Sequence, residues 1–187
     1  MTGVTDVPQT PALVIVTGPP GAGKTTIAEA LRDGLGLPLL AKDTLKEVLG
    51  GSLGIAERHD SRALGSAVFE ALGMLTRELL TARVSLIVEG NFAVASTLFA
   101  ELPPARIVQV HLTAREEVLQ ERLLTRDTHR HPVHYDREAE AEIAQRFAAG
   151  EWAPLPLDGR LFEVDTSAWP DVGRIVADIG DAVSPAA

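Results

Sequence analysis

The stretch ALVIVTGPPGAGKTTIAEAL, residues 12–31, decides how the rest of the chain is read. Leu13 to Val16 is an apolar run, a glycine-rich turn follows, and Ile27, Leu31 and Leu35 then recur at i, i+4 and i+8. That succession predicts a strand, a loop and a helix. The loop fits G-x-x-x-x-G-K-[ST] at each fixed position, with Gly18, Gly23, Lys24 and Thr25. Gly18, Gly21 and Gly23 permit positive φ, so successive N–H groups can turn inward on an anion. The helix start adds free donors and a partial positive charge. Lys24 is a mobile cation able to follow β- and γ-phosphates, and the Thr25 hydroxyl is placed to ligate Mg²⁺. Gly18, Gly21, Ala22, Gly23, Lys24, Thr25 and Thr26 are therefore the expected cofactor-binding set, with ATP and Mg²⁺ as the expected ligands.

Outward from this stretch, 187 residues with 45% hydrophobic content fit one domain with an ample core, expected over residues 12–183. Residues 1–11 have neither a basic region nor an apolar h-region, and read as a flexible tail rather than a signal peptide. No apolar run approaches the ~20 residues of a membrane span. The absence of cysteine excludes disulfides and thiolate zinc sites, and fits a cytoplasmic protein. A net charge of −9 argues against a broad nucleic-acid surface. Positive charge gathers instead between 115 and 137, where Arg115, Arg122, Arg126, Arg130, Arg137, His129, His131 and His134 fall. A local basic stretch in an acidic chain suits a small anionic ligand.

Further strands are expected at Pro38–Ala41, Ser85–Val88, Arg106–Leu112 and Leu161–Val164. Helices are expected at TLKEVL after Asp43, at Ser61–Leu80, at Ala95–Glu101, from a Thr113-x-x-Glu116 capping box to about Arg126, from Asp136 to Gly150, and after Pro170. The Ser61–Leu80 helix shows an apolar stripe of Leu64, Val68, Leu72, Leu75 and Leu79. Alternation of strands and helices predicts an α/β fold, a five-stranded mostly parallel sheet covered on both faces. Ligands in such sheets sit beyond the carboxyl ends of the strands. Strand two ends at Lys42-Asp43 and strand three at Glu89-Gly90-Asn91, so the polar residues fall there.

Asp43 is a candidate for taking a hydroxyl proton or holding the metal, with N-capping of a helix at Thr44 as the alternative. Glu89 closes an apolar run as a metal-directed or acceptor-binding acid, or pairs with a loop cation. Asn91 can donate to and accept from a hydroxylated acceptor, or serve a turn. Arg122 and Arg126 share a helical face and, with Arg130, can close on a polyphosphate; a solvated basic helix end is the other reading. The three histidines read as lid contacts or loop structure sooner than as a metal site. Trp152 either borders a purine or belongs to the core. Lys42, Lys46, Arg58 and His59 are candidates for an acceptor pocket, each singly better placed on the surface.

GPPGAGKTT, KDTLKE, EGNF, RLLTRDTHRHPVHYD and VDTS, in that order over about residues 12–180, resemble small bacterial P-loop kinases. These are relatives of chloramphenicol phosphotransferase, the zeta toxins and the kinase part of polynucleotide kinase. The resemblance implies a P-loop three-layer sandwich with an Arg/His-rich lid at about 122–137. It implies ATP-dependent transfer of the γ-phosphate to a hydroxyl of a small molecule. Lys24, Asp43, Arg122 and Arg126 would be catalytic, and Arg122, Arg126 and Arg130 would engage phosphates. Asp43, Lys46, Glu89 and Asn91 would meet the acceptor, and Thr25 and Asp43 the metal. The chain departs from the pattern in two places: no second acid closely follows Asp43, and no arginine pair typical of a nucleoside-monophosphate pocket is evident. A small hydroxylated acceptor is thus expected over nucleic acid, in a monomer or homodimer without membrane contact. Polynucleotide 5′-hydroxyl phosphorylation or a toxin-like nucleotide-binding regulator is the alternative.

Overall fold

β1 (Ala12–Thr17) is the middle strand of the sheet and is buried along its whole length. The structure is a computed structural model that describes residues 10–54, 58–93, 97–126, 145–146 and 149–184, with Arg58, Leu124 and Arg126 described by backbone alone. The other strands are β2 (Leu39–Ala41), β3 (Leu86–Glu89), β4 (Arg106–Thr113) and β5 (Arg160–Asp165). They lie in the order β2-β3-β1-β4-β5, and every pairing is parallel. The helices are α1 (Lys24–Leu35), α2 (Lys42–Leu53), α3 (Arg58–Thr81), α4 (Glu116–Arg126) and α5 (Val172–Val183). Among the described residues no helix is long and apolar enough to cross a membrane.

Alternation along β1 builds the two covered faces. Val14 and Val16 pack with Ile27, Ala28 and Leu31 of α1 and with Ile179 and Ala182 of α5. Leu13 and Ile15 face the other way, onto Leu72 and Leu80 of α3 and onto Phe92 and Phe99. Two devices lock the edges of this three-layer sandwich. The buried Gln109 side chain bonds both backbone groups of Leu155 at 3.0 Å, holding that loop to the sheet. Arg106 on β4 donates to the carbonyls of Val183 and Ser184, satisfying the end of α5.

Several boundaries differ from the sequence reading. The helix expected at TLKEVL is longer at both ends: α2 begins at Lys42, runs through Gly50 and Gly51 to Leu53 and ends at Gly54, whose φ of 64° only glycine adopts freely. On α3 the buried stripe follows Leu64, Val68, Leu72, Thr76 and Leu80 rather than turning to Leu75 and Leu79. Thr76 is tolerated because its hydroxyl donates to the Leu72 carbonyl at 2.7 Å. Thr113 is no helix cap: it is the last residue of β4, and its carbonyl accepts from the Thr166 N–H. α4 starts later, after Arg115, whose N–H donates to Ser167 Oγ. The described part of 95–101 is turn, not helix, with Glu101 at φ 56° before the Pro103-Pro104 pair. The helix expected after Pro170 begins at Val172 with Asp171 as its cap, the carboxylate accepting from the Arg174 N–H at 3.1 Å. Of the helix expected from Asp136 to Gly150 only 145–146, which are helical, and 149–150, a turn with Gly150 at φ 68°, are described; the lid beyond Arg126 and its His129, Arg130, His131 and His134 lie outside the described residues.

Candidate functional site

Strand register gathers the site. Glu89, at the end of β3, is paired with Val16 of β1 on one side and Ala41 of β2 on the other. It therefore stands between the glycine-rich loop that follows β1 and the Lys42-Asp43 start of α2. Gly21, Gly23, Lys24, Thr25, Thr26, Asp43, Glu89, Arg122 and Thr125 line one cleft of about 360 Å³. Of these, Glu89 is only 3% exposed, a carboxylate set deep at the floor of the sheet's edge.

The loop has the shape an anion needs. Gly18, Gly21 and Gly23 have φ of 141°, 83° and 83°. A Cβ on Gly18 would sit 2.2 Å from the Leu112 carbonyl oxygen, and one on Gly23 2.8 Å from the Trp169 ring. Neither position admits a side chain. α1 opens at Lys24 with no side chain capping it and no acid in its first turn, which leaves its leading N–H groups for an anionic guest. Lys24 Nζ donates to the Pro19 carbonyl at 2.8 Å, so the ammonium curls back over the loop.

Asp43 lies in the first turn of α2, whose cap position is Ala41 in an extended conformation without a side-chain bond. The capping alternative for Asp43 therefore falls away: the helix begins at Lys42, before it, and not at Thr44. A carboxylate there is stabilised by the positive end of the helix. Thr25 and Asp43 offer hard oxygen donors on one cleft, and no group of three or more His, Asp or Glu that would hold a metal exists among the described residues. That donor set fits Mg²⁺, which is usually held by one or two protein oxygens with the remaining positions filled by phosphates and water.

Lys42 is not a surface lysine. Its ammonium donates to Asn91 Oδ1 at 2.8 Å and stands 4.4 Å from the centroid of the Phe69 ring. Burial lowers its pKa to about 8, against the pull of Asp43 in the other direction. Gly90 makes this possible, since a Cβ there would come within 2.8 Å of the Phe92 ring and 3.3 Å of Lys42 Cβ. Asn91 is thereby engaged with Lys42 beside the phosphate cleft rather than in it. Lys46 leans toward α3, its Nζ 4.0 Å from where a Gly65 Cβ would lie, and is not part of the cleft wall. His59 is exposed beside Asp60, 3.4 Å away. Arg58 and Arg126 are placed by backbone only.

Arg122 is on the cleft but braced. Its guanidinium donates to the Gly21 carbonyl at 3.3 Å, to Thr166 Oγ1 at 3.1 Å and to the Thr166 carbonyl at 2.6 Å. In this state it ties α4 to the phosphate loop and to the end of β5. Thr166 is fully buried, and its hydroxyl also lies 3.1 Å from the Ala22 carbonyl and 3.0 Å from that of Thr113. Thr166 and Trp169 were not among the expected site residues. The sequence signal for Thr166 is VDTS at a strand end; Trp169 lies two residues beyond that motif. Thr166→Val should destabilise the fold by about 1–3 kcal/mol in urea unfolding, because buried partners lose the hydroxyl. Trp152 turns out to be core, 5% exposed with the Arg146 guanidinium 4.5 Å from its ring, and does not border the phosphate cleft. Trp169 does stand at the loop, half exposed, with the Arg122 guanidinium 5.9 Å from its ring.

A central parallel sheet, a Gly-rich loop opening α1 and carboxylates at the next two strand ends define the P-loop kinase fold. The chain belongs to the AAA domain family, whose profile matches residues 14–145. Among solved structures it is similar to a "putative kinase" from Chloroflexus aurantiacus, with 38% identity over 94% of this chain and 100% of that one and a TM-score of 0.84. It shares the fold of a sugar kinase from Janibacter sp. HTCC2649, with 19% identity, 94% and 99% coverage and a TM-score of 0.61. It also shares the fold of shikimate kinase from Acinetobacter baumannii, with 17% identity, 91% coverage of each chain and a TM-score of 0.55. No curated protein matches the chain significantly.

Proposed function

We propose that the protein is an ATP-dependent phosphotransferase that moves the γ-phosphoryl group to a hydroxyl of a small molecule. The observation that carries this reading is the convergence of Lys24, Thr25, Asp43 and Glu89 on one cleft with a second cleft beside it. Loop amides and Lys24 would hold the polyphosphate. Asp43, across the cleft, would orient the acceptor hydroxyl and accept its proton. The acceptor oxygen forms its bond to the γ-phosphorus as the bond to the β,γ-bridging oxygen breaks, and the electron pair leaves with ADP. Mg²⁺, held by Thr25 and Asp43, would neutralise charge on the phosphates when bound. Positioning dominates such a transfer, because the transition state is loose. Arg122 would keep the loop in shape, with Arg126 and Arg130 as the remaining candidates for phosphate contact. The sugar kinase and shikimate kinase among the similar structures support a small hydroxylated acceptor.

Trp169 is the natural platform for the base, since its ring lies against Gly23 and faces Arg122. ATP is expected to quench the tryptophan emission, because the other tryptophan is buried away from the cleft. Trp169→Ala should weaken ATP binding about tenfold, as loss of a stacking contact of ~1–3 kcal/mol implies, with kcat little changed. The reading is tested by mass detection of phosphorylated products after incubation with ATP, Mg²⁺ and a library of hydroxylated metabolites and antibiotics. ATP-dependent products supply the expected result; persistent hydrolysis alone, with no acceptor consumed, overturns it.

A further inference from the structure

Beside the phosphate cleft lies a second cleft of about 390 Å³, walled by Lys42, Phe69, Gly73, Arg77, Asn91 and Arg146, with Glu70 at its edge. The two clefts share a wall, because Lys42 and Asp43 are consecutive and Glu89 and Asn91 are two apart. Phe69, Glu70, Gly73 and Arg77 fall on one face of α3, at spacings of three and four. Gly73 leaves room for the Arg77 guanidinium, since a Cβ there would sit 3.3 Å from Arg77 Nη1 and 3.6 Å from Leu98 Cγ.

The charges here are not balanced by one another. Arg146 is spoken for, its Nε donating to Glu151 at 2.6 Å and its guanidinium lying over Trp152. The Lys42 ammonium has a neutral partner in Asn91 and an aromatic face in Phe69. Arg77 is half-buried and has neither a hydrogen bond from its guanidinium nor an ion pair among the described residues. Glu70, the acid at the edge, is exposed to water, which screens it. A chain of net charge −9 thus keeps in this pocket, beside the Phe69 ring, one cation without an ionic partner among the described residues, Arg77, and a second, Lys42, whose hydrogen bond goes to a neutral amide while Asp43 and Glu89 act on it electrostatically.

We infer that this second cleft is the acceptor site and that the acceptor is an acid, a hydroxy-carboxylate whose carboxylate meets Arg77 while its hydroxyl faces Asp43. This deepens the phosphotransferase reading and rests on it. The volume suits one compound of small size, at the lower end of ligand pockets. A guanidinium takes a carboxylate through two parallel N–H bonds, which fixes the far end of the acceptor and aims its hydroxyl across the shared wall. Lys42 then serves as the second positive group along the acceptor's path. A neutral polyol would leave Arg77 half-buried and unanswered, which is the physical basis for discrimination.

The test uses the full chain with ATP, Mg²⁺ and matched pairs: hydroxy acids such as D-gluconate, D-glycerate and shikimate, each against its neutral alcohol or amide counterpart. Product is read by mass, on the wild type and on Arg77→Gln and Arg77→Lys. Phosphorylation confined to acids is expected, with kcat/KM for the acid falling at least tenfold in Arg77→Gln, partly restored in Arg77→Lys, and the KM for ATP unchanged. Melting curves show whether the variants stay folded; among the described residues the Arg77 guanidinium makes no hydrogen bond or ion pair whose loss would unfold them. Phosphorylation of the neutral members, or an Arg77→Gln variant that keeps its activity on the acid, overturns the acidic-acceptor inference and leaves the phosphotransferase reading standing. ATP binding with quenched tryptophan emission but no product from any member overturns the phosphotransferase reading, and the acceptor inference with it.

Discussion

Lys24→Ala is expected to reduce phosphoryl transfer by on the order of 10³-fold or more, the scale on which a preorganised charge stabiliser is lost from an active site. Three features set that size. The ammonium follows directly on the glycine loop, at the head of a helix whose leading N–H groups are uncapped. It already reaches back over the loop to the Pro19 carbonyl, a bond it can exchange for a phosphate oxygen at little cost in reorganisation. Among the described residues the other cation lining the cleft, Arg122, is committed to Gly21 and Thr166. The fold should survive, because the side chain lies at the cleft and not in either core cluster. Steady-state kinetics with a circular dichroism melt separates the two effects. A variant that turns over normally would remove Lys24 from the mechanism.

Asp43→Asn should lower kcat by about 10²–10⁴-fold, the range for loss of a positioned general base, while ATP affinity changes by only a few-fold. Asparagine keeps the shape and the place in the first turn of α2, so packing is undisturbed. What it lacks is the negative charge that takes a proton and holds Mg²⁺. Nucleotide affinity should persist because the loop amides and Lys24 carry it. Tryptophan quenching by ATP gives the affinity, and product formation gives kcat. Unchanged turnover in this variant would exclude Asp43 from proton transfer; a parallel collapse of ATP affinity would assign it to metal and nucleotide binding alone.

Much of the nucleotide half was legible in the chain because its signals are local. The loop's glycines, Lys24 and Thr25 fall within eight residues, and positive φ is found at both fixed glycines of the motif, Gly18 and Gly23, and at Gly21 between them. Asp43 and Glu89 were legible as strand ends, once alternation of strands and helices implied a parallel sheet. Boundaries were less so. Thr113-x-x-Glu116 has the form of a capping box, yet the β4–β5 pairing claims Thr113 for the sheet and delays α4. Local pattern lost there to a long-range hydrogen bond. Lys42 was read as a surface residue because lysine seldom gives up water; the approach of Phe69 from α3 and of Asn91 from just beyond β3 could not be seen from its neighbours in sequence.

The sequence by itself determined that a phosphate loop is present, that strands and helices alternate around it, and which acids follow the next two strands. Only the tertiary structure decided what those acids face, that Arg122 is braced by Thr166, that Trp169 and not Trp152 stands at the loop, and that Arg77 looks into a second cleft. The physical reason is the range of the interactions. Backbone geometry in a glycine loop is set by its own residues, whereas a pocket is enclosed by segments far apart in the chain, brought together by burial of the sheet's two faces.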